Sequence, residues 1–329
     1  MAVYTEVSTD EVRVLMRQLK LGDLTEMQGC AGGIENTNYF VSTELGGHQH
    51  DYVLTIFERL TFAQLPFYLR LMKHLAQRGI PVPDPRANAQ GELLFKLKGK
   101  PAAVVNKLRG KNELRPGAAH CAAVGSTLAR MHLAAADFAL SQPNLRGLAW
   151  WIDTVPVVLP HLDHGQALLI RAELDFQTRL AASEGYTALP RGPIHADLFR
   201  DNVMFDDIDG QLHLSGFFDF YFAGVDSWLF DIAVCMNDWC VNLDTGAHDN
   251  ERALSFMSAY NAERALTGPE RSLLPAMLRA AALRFWISRL WDYHQPRAAS
   301  LLKAHDPSHF ERVLRQRLDH PLLTSALLP

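Results

Sequence analysis

The chain has 329 residues, more than one ordinary core usually spans, and 48% hydrophobic with 21% charged residues marks a folded protein rather than a disordered one. A formal net charge of -4, with no dense Lys/Arg run, lacks the electrostatic footprint of a nucleic-acid binder. The longest apolar stretches, Thr154 to Pro160 and Leu278 to Leu283, are too short to span a bilayer, and Met1 to Glu6 does not lead into a signal core, so no membrane and a cytoplasmic setting are expected.

Ser8 with Glu11 three residues on is a capping box, opening a helix whose stripe is Val12, Leu15, Met16 and Leu19 and which Gly22 is expected to end. From Leu24 to Phe57 the pattern turns to glycine-punctuated β segments. Strands are predicted over Asn38 to Ser42 and Tyr52 to Glu58, with a turn at Gly46-Gly47. Thr61 and Gln64 cap a second helix bearing Leu65, Leu69, Met72 and Leu75, which stops at Gly79; Pro81, Pro83 and Pro85 enforce an extended exit. Leu93 to Leu97 and Ala102 to Leu108 read as a further strand pair. After Gly110 the pattern is mostly helical: Ala118 to Leu133, Leu168 to Ser183, Trp228 to Asn242, Glu251 to Ala265, Pro275 to Tyr293 and His309 to Leu318. No internal repeat is visible. A β-rich first third and a helical remainder predict a bilobed α+β protein, with residues 1–103 and 111–329 as the lobes, 104–110 as a hinge, and a cleft near residues 100–110.

Cys30, Cys121, Cys235 and Cys240 show no CxxC spacing, and no HExxH occurs, so reduced thiols are expected and metal-hydrolase chemistry is not. The informative stretch is Ile194 to Phe205, which contains H-x-D-L-x-x-x-N: His195, Asp197, Leu198 and Asn202. This is the catalytic-loop spacing of kinases, in which the Asp orients or accepts a hydroxyl proton and the Asn holds Mg²⁺. Val203 to Phe205 and Gln211 to Phe217 flank a turn at Asp206 to Gly210, and a hairpin brings its entry and exit to one end. Asn202 and Asp219 are thus expected to emerge side by side as oxygen donors for a hard cation, with Asp197 in reach of its phosphate. His195 is expected to brace the loop rather than act as a base. A second segment, Gly29 to Tyr39, has glycines between strands, including Gly32 and Gly33 beside Asn36 and Asn38, and reads as a lid over ATP phosphates.

These motifs resemble those of the aminoglycoside phosphotransferase-like kinases, and within them the bacterial homoserine kinases. The likeness runs over nearly the whole chain, through Gly32 to Phe40, Tyr52 to Glu58, Arg78 to Pro83, His195 to Asn202 and Phe217 to Tyr221; the His195 to Asn202 loop and the Leu54-Thr55 neighbourhood point to homoserine kinases in particular. The resemblance implies a protein-kinase-like fold, with a small lobe built on a five-stranded antiparallel sheet. It also implies an ATP hinge at Val104, Asn106 and Leu108, and a helical lobe for the acceptor. It makes Asp197 the catalytic aspartate and Asn202 and Asp219 the magnesium ligands, and treats Asp231-Ile232-Ala233 as a structural signature. The implied reaction takes ATP and L-homoserine to ADP and O-phospho-L-homoserine.

One departure stands out. Kinases of this shape place a Lys in the third small-lobe strand, paired with a helical Glu. Here Thr55 matches the strand position and the helix that follows has no acid, so both halves are missing together. Arg200 is the expected replacement cation, ahead of Lys73 and Arg59. For the acceptor, an amino-acid alcohol needs a fork for its carboxylate, and Arg284 on the Pro275 to Tyr293 helix is the expected residue. The alternatives are choline or ethanolamine, with choline calling for an aromatic cage drawn from Trp228, Trp239, Trp286 and Trp291, an aminoglycoside, and a non-catalytic pseudokinase. Oligomeric state is left open.

Overall fold

Glu11 N donates to the Ser8 hydroxyl at 3.3 Å and Ser8 N donates to the Glu11 carboxylate at 2.9 Å, so the capping box forms and α1 (Thr9–Gln18) begins there. Its end differs from the expectation. Lys20 takes the left-handed conformation (φ +56°), and Leu21 N reaches Met16 O at 2.9 Å, which closes the helix before Gly22. Gly22 serves a different need: a Cβ there would run into the Glu44 carbonyl of the neighbouring strand.

In this computed structural model, which describes residues 5–30, 36–295, 305–322 and 324–327, the chain clusters into two compact units. The first is Met1–Gly110 with Ser215–Phe218. Five antiparallel strands, β1 (Asp23–Gly29), β2 (Asn36–Leu45), β3 (His48–Phe57), β4 (Phe95–Leu97) and β5 (Lys100–Asn106), make one sheet in the order β1-β2-β3-β5-β4. Alternation decides the buried face: Thr37, Tyr39, Val41 and Thr43 point inward from β2, while Asn36, Asn38 and Phe40 stay half-buried. The stripe Val12, Leu15 and Met16 of α1 packs into the same cluster as Tyr39, Val41, Leu54, Ile56 and Val104. Strands β2 and β3 run longer than predicted, to a two-residue turn at Gly46 and Gly47, because their polar outer ends pair in register as far as Leu45 and His48. Helix α2 (Leu65–Gln77) buries Leu65, Leu69, Met72 and Leu75 as predicted. Residues 104–110 stand with this unit, since β5 carries the sheet through Val104 to Asn106.

The second unit is Lys111–Leu214 with Asp219–Pro329. Its helices are α3 (Ala118–Ala134), α4 (Leu148–Val158), α5 (His164–Ala181), α6 (Glu184–Thr187), α7 (Trp228–Trp239), α8 (Asn250–Glu263), α9 (Gly268–His294) and α10 (Ser308–Asp319). Every residue of α7 is buried, which makes it the central helix of the unit. Helix α9 begins seven residues before the expected Pro275, because Thr267 and Glu270 form a capping box with Pro269 in the first turn. Pro275 lacks the N–H that would bond Arg271 O, and the Thr324 hydroxyl donates to that carbonyl instead at 2.6 Å. Two short strands, β6 (Arg191–Ile194) and β9 (Gly224–Ser227), pair antiparallel, and β7 (Val203–Ile208) and β8 (Gln211–Phe217) form the predicted hairpin. The hairpin's turn is only Asp209-Gly210, both at positive φ (54° and 78°), the geometry that matches strand twist. Among the described residues no helix is long and apolar enough to cross a membrane.

Candidate functional site

The loop that follows β6 is held from beneath by one carboxylate. His195 N and Ala196 N each donate to Asp231 of α7 at 2.8 Å, and His132 of α3 reaches the same group through Nε2 at 3.1 Å. His132 Nδ1 in turn faces the Tyr260 hydroxyl at 2.8 Å. Burial drives His132 below its ordinary pKa and so keeps the ring neutral. Against the upward push of burial, the hydrogen bonds from His132 and the loop backbone keep the Asp231 carboxyl below its ordinary range. This grip holds Ala196 at φ +66°, a strained conformation for alanine that turns the chain sharply into Asp197. His195 accepts from Asp197 N at 3.3 Å through Nδ1 and packs on Phe220, the bracing role expected of it. From the other side Trp239 Nε1 donates to Leu198 O at 3.0 Å.

Asn202 closes a 3₁₀ turn (Arg200–Asn202) and donates its Nδ2 to Asp197 O at 2.8 Å, with Asp197 Oδ2 at 3.5 Å. That leaves Asn202 Oδ1 with no hydrogen bond among the described residues. Asp219, at φ +64°, caps a second 3₁₀ turn (Phe220–Phe222), and its charge acts on Asp197. Asp197 is half-buried; burial pushes its carboxyl well above the ordinary range, Arg284 opposes, and the Asp219, Asp201 and Asp238 carboxylates add to the rise. Asp197, Asn202, Asp219 and Arg284 therefore gather in one place within the helical unit. The donor set fits magnesium: carboxylates crowd together, an amide oxygen is unspent, and all are hard oxygen ligands. Asn202 and Asp219 are the residues that would hold the ion.

Arg200 does not belong with this group as expected. Its backbone N, Nε and Nη2 all donate to Asp238, at 2.8, 3.0 and 2.9 Å, and Nη1 donates to Leu114 O at 3.2 Å. Buried with its charge matched, it fixes the loop to α7 and is not placed to receive a phosphate. Lys73 is likewise engaged, with Asp84 at 2.8 Å. Of the four tryptophans expected to build an aromatic cage, Trp228, Trp239 and Trp286 lie buried in the core, and Trp291 alone of the four is half-buried.

In the sheet unit, Gly32 and Gly33 lie outside the described residues. Asn36 opens β2 opposite Phe57, and Asn38 Oδ1 accepts from the Thr55 hydroxyl at 2.7 Å, so the residue standing where a lysine is usual is tied to its cross-strand neighbour. Val104 O accepts from Arg86 N at 2.8 Å, Asn106 Oδ1 from Asp84 N at 2.6 Å, and Leu108 packs over Gly216. Asp231, which the resemblance gave only as part of a structural signature, is the clamp of the loop. Two residues escaped sequence reading: Asp238 as the partner of Arg200, and Asn112, whose Nδ2 donates to Asp201 O and Val203 O at 2.8 and 2.9 Å. Neither has a local signal, since each acts across 38 residues or more.

A model of the phosphotransferase enzyme family matches residues 26–268. The homoserine kinase of Polaromonas naphthalenivorans is 64% identical over 323 residues, covering 98% of this chain and 100% of that one. That of Janthinobacterium sp. (strain Marseille) is 54% identical over 329 residues, covering 99% and 100%. Among solved structures, an amicoumacin kinase in complex with AMP-PNP and Ca²⁺ superposes with a TM-score of 0.67 at 18% identity, covering 95% of this chain and 97% of the other. A choline kinase from Cryptosporidium parvum gives 0.65 at 15%, covering 98% of each. At such identities these last two speak for the fold alone, the bilobed α+β architecture of small-molecule kinases.

Proposed function

The chain belongs to the phosphotransferase enzyme family, and from that premise we propose that it transfers the γ-phosphate of ATP to the side-chain hydroxyl of L-homoserine, giving O-phospho-L-homoserine on the route to threonine. The observation that carries the chemistry is the gathering of Asp219, just past the β7–β8 hairpin, with Asp197 and Asn202 of the loop that Asp231 pins through two backbone N–H groups. The acceptor is supported by identity of 64% over the full length of a homoserine kinase.

In this reading the acceptor hydroxyl lies against Asp197, which aligns it and takes its proton as the oxygen forms the new P–O bond and ADP leaves with the electrons of the bond that breaks. A carboxylate whose pKa is raised is the better base for that task. Asn202 and Asp219 would hold magnesium, whose charge would offset that of the phosphates. Asn202 has a second duty, since its amide fixes the Asp197 carbonyl and so the loop's orientation. Arg284 would receive the acceptor carboxylate. In the sheet unit, Gly32, Gly33, Asn36, Asn38, Val104, Asn106 and Leu108 are the residues proposed to meet the nucleotide. The cytoplasm is the proposed setting, in keeping with Cys121, Cys235 and Cys240 standing as buried thiols.

A coupled ADP-release assay with homoserine, choline, kanamycin or no acceptor tests the assignment. Magnesium-dependent turnover should appear with homoserine and be at least about a hundredfold weaker with the other two, an order of discrimination that matched polar groups supply. Turnover of choline or kanamycin in preference to homoserine would overturn the acceptor, and ATP binding with no turnover of any acceptor would favour a pseudokinase.

A further inference from the structure

Two guanidinium groups of the helical unit share one pair of aromatic rings. Arg284 of α9 has its Cζ 5.6 Å from the Trp150 ring centre and 5.7 Å from that of Phe222. Arg146, just before α4, stands 4.4 Å from Trp150 and 6.0 Å from Phe222. Like charges do not collect on one surface without cause. Burial first, and then the neighbouring Arg146, push Arg284 down to about 10 although Asp197 pulls the other way.

Arg284 is 2% exposed, and its Nη1 is buried with no hydrogen-bond partner. Of the other buried arginines described in this unit, Arg200 and Arg264 sit on the carboxylates of Asp238 and Glu270, and Arg317, which has no carboxylate, donates to Asn237 Oδ1 and Gly246 O at 2.9 and 3.0 Å. Arg284 makes no ion pair with any described residue. A buried guanidinium left so is costly, and an anion arriving beside it recovers that cost. Access to it is graded, for Arg146, Trp150 and Phe222 are half-exposed while Arg284 lies behind them.

The second arm is built in advance. Arg146 N donates to Asn144 Oδ1 at 3.0 Å, and its carbonyl accepts from Trp151 Nε1 at 2.6 Å. Asn144 is itself held by Asp226 at 2.9 Å. A guanidinium stacked on an aromatic face keeps its N–H edge for a planar acceptor, which a carboxylate is and a trimethylammonium is not. Phe222 ends the turn that Asp219 caps, so the ring pair adjoins the reacting end of the site.

The geometry points to a carboxylate clamp in which Arg146 and Arg284 together hold the α-carboxylate of the acceptor against Trp150 and Phe222, selecting an amino-acid alcohol over a plain amino alcohol. This rests on homoserine being the acceptor. Arg146 is the half to test, because its side chain is half-exposed and its replacement spares the core.

Wild type and Arg146→Gln are compared with homoserine and with 3-aminopropan-1-ol, its counterpart lacking the carboxylate. For homoserine, KM in the variant should rise about tenfold or more with kcat within about threefold, the mark of lost ground-state binding. KM for ATP and the melting temperature should hold, and kcat/KM for the amino alcohol should change less than about threefold. An unchanged KM for homoserine, or equal losses for both acceptors, would overturn the clamp. Wild type that turns over ATP only with some other acceptor would overturn the homoserine assignment, and the clamp with it.

Discussion

Asp231→Asn removes one charge and leaves the shape of the side chain almost intact. In the native protein this carboxylate accepts from two backbone N–H groups at 2.8 Å and from His132 at 3.1 Å, all fully buried. An asparagine keeps one oxygen but turns an NH₂ toward the other donors. One charge-assisted bond, worth about 1.5–3 kcal/mol, is lost outright, and an opposed buried donor adds about 1–3 kcal/mol. The expected destabilisation is thus about 2.5–6 kcal/mol, a large share of a typical domain's stability. Because Ala196 is held at φ +66° by the same bonds, the loop relaxes and Asp197 shifts. A displacement of about 1 Å at a reacting group costs about a hundredfold in kcat, so kcat should fall by that order while KM for ATP stays within about threefold. Urea unfolding and ADP release read the two effects. A variant with native stability and native kcat would refute the clamp role given to Asp231.

Asp238→Ala strands Arg200 as an unpaired buried cation and should cost about 3–5 kcal/mol, whereas Arg200→Met with Asp238→Leu should recover most of that by urea titration. If the folded double variant lost kcat more than about a thousandfold, on the scale of a removed charge-stabilising group, Arg200 would have a direct part in the chemistry after all. His248 offers a pH test, since burial, with Arg317 nearby, lowers its pKa from 6.5 to about 3. Its folded value lies below its unfolded value, so between those limits the unfolded chain binds a proton that the folded one refuses. Stability therefore falls as pH drops below 6.5, by about 1.4 kcal/mol per unit, or about 2 kcal/mol by pH 5. His248→Asn should flatten that part of the urea-midpoint profile, and equal slopes for wild type and variant would contradict it.

Local grammar made much of the fold legible. The capping box at Ser8, the stripe of α2 and the hairpin between Asn202 and Asp219 follow from residues a few positions apart, and they fold as read. The pattern failed where a partner lies far along the chain. Strands β6 and β9 have only four residues each and exist because they pair with one another. Helix α4 reads as an undifferentiated apolar run interrupted by Pro156, although Gly147 and Trp151 anchor its start. The kinase motif placed Asp197, Asn202 and Asp219 together because a loop and a hairpin are short-range devices. Arg200 was misassigned because Asp238 stands 38 residues away. Arg146 has no signal at all in sequence, and its interest comes only from the rings it shares with Arg284.

The most direct test is Asp197→Asn, assayed for ATP binding and for magnesium-dependent phosphorylation of homoserine in the same preparation. The variant should bind ATP within about threefold of wild type and lose at least about a hundredfold in kcat, the usual scale of general-base loss. Turnover close to wild type would mean that the acceptor's proton goes elsewhere and that the site is wrongly centred.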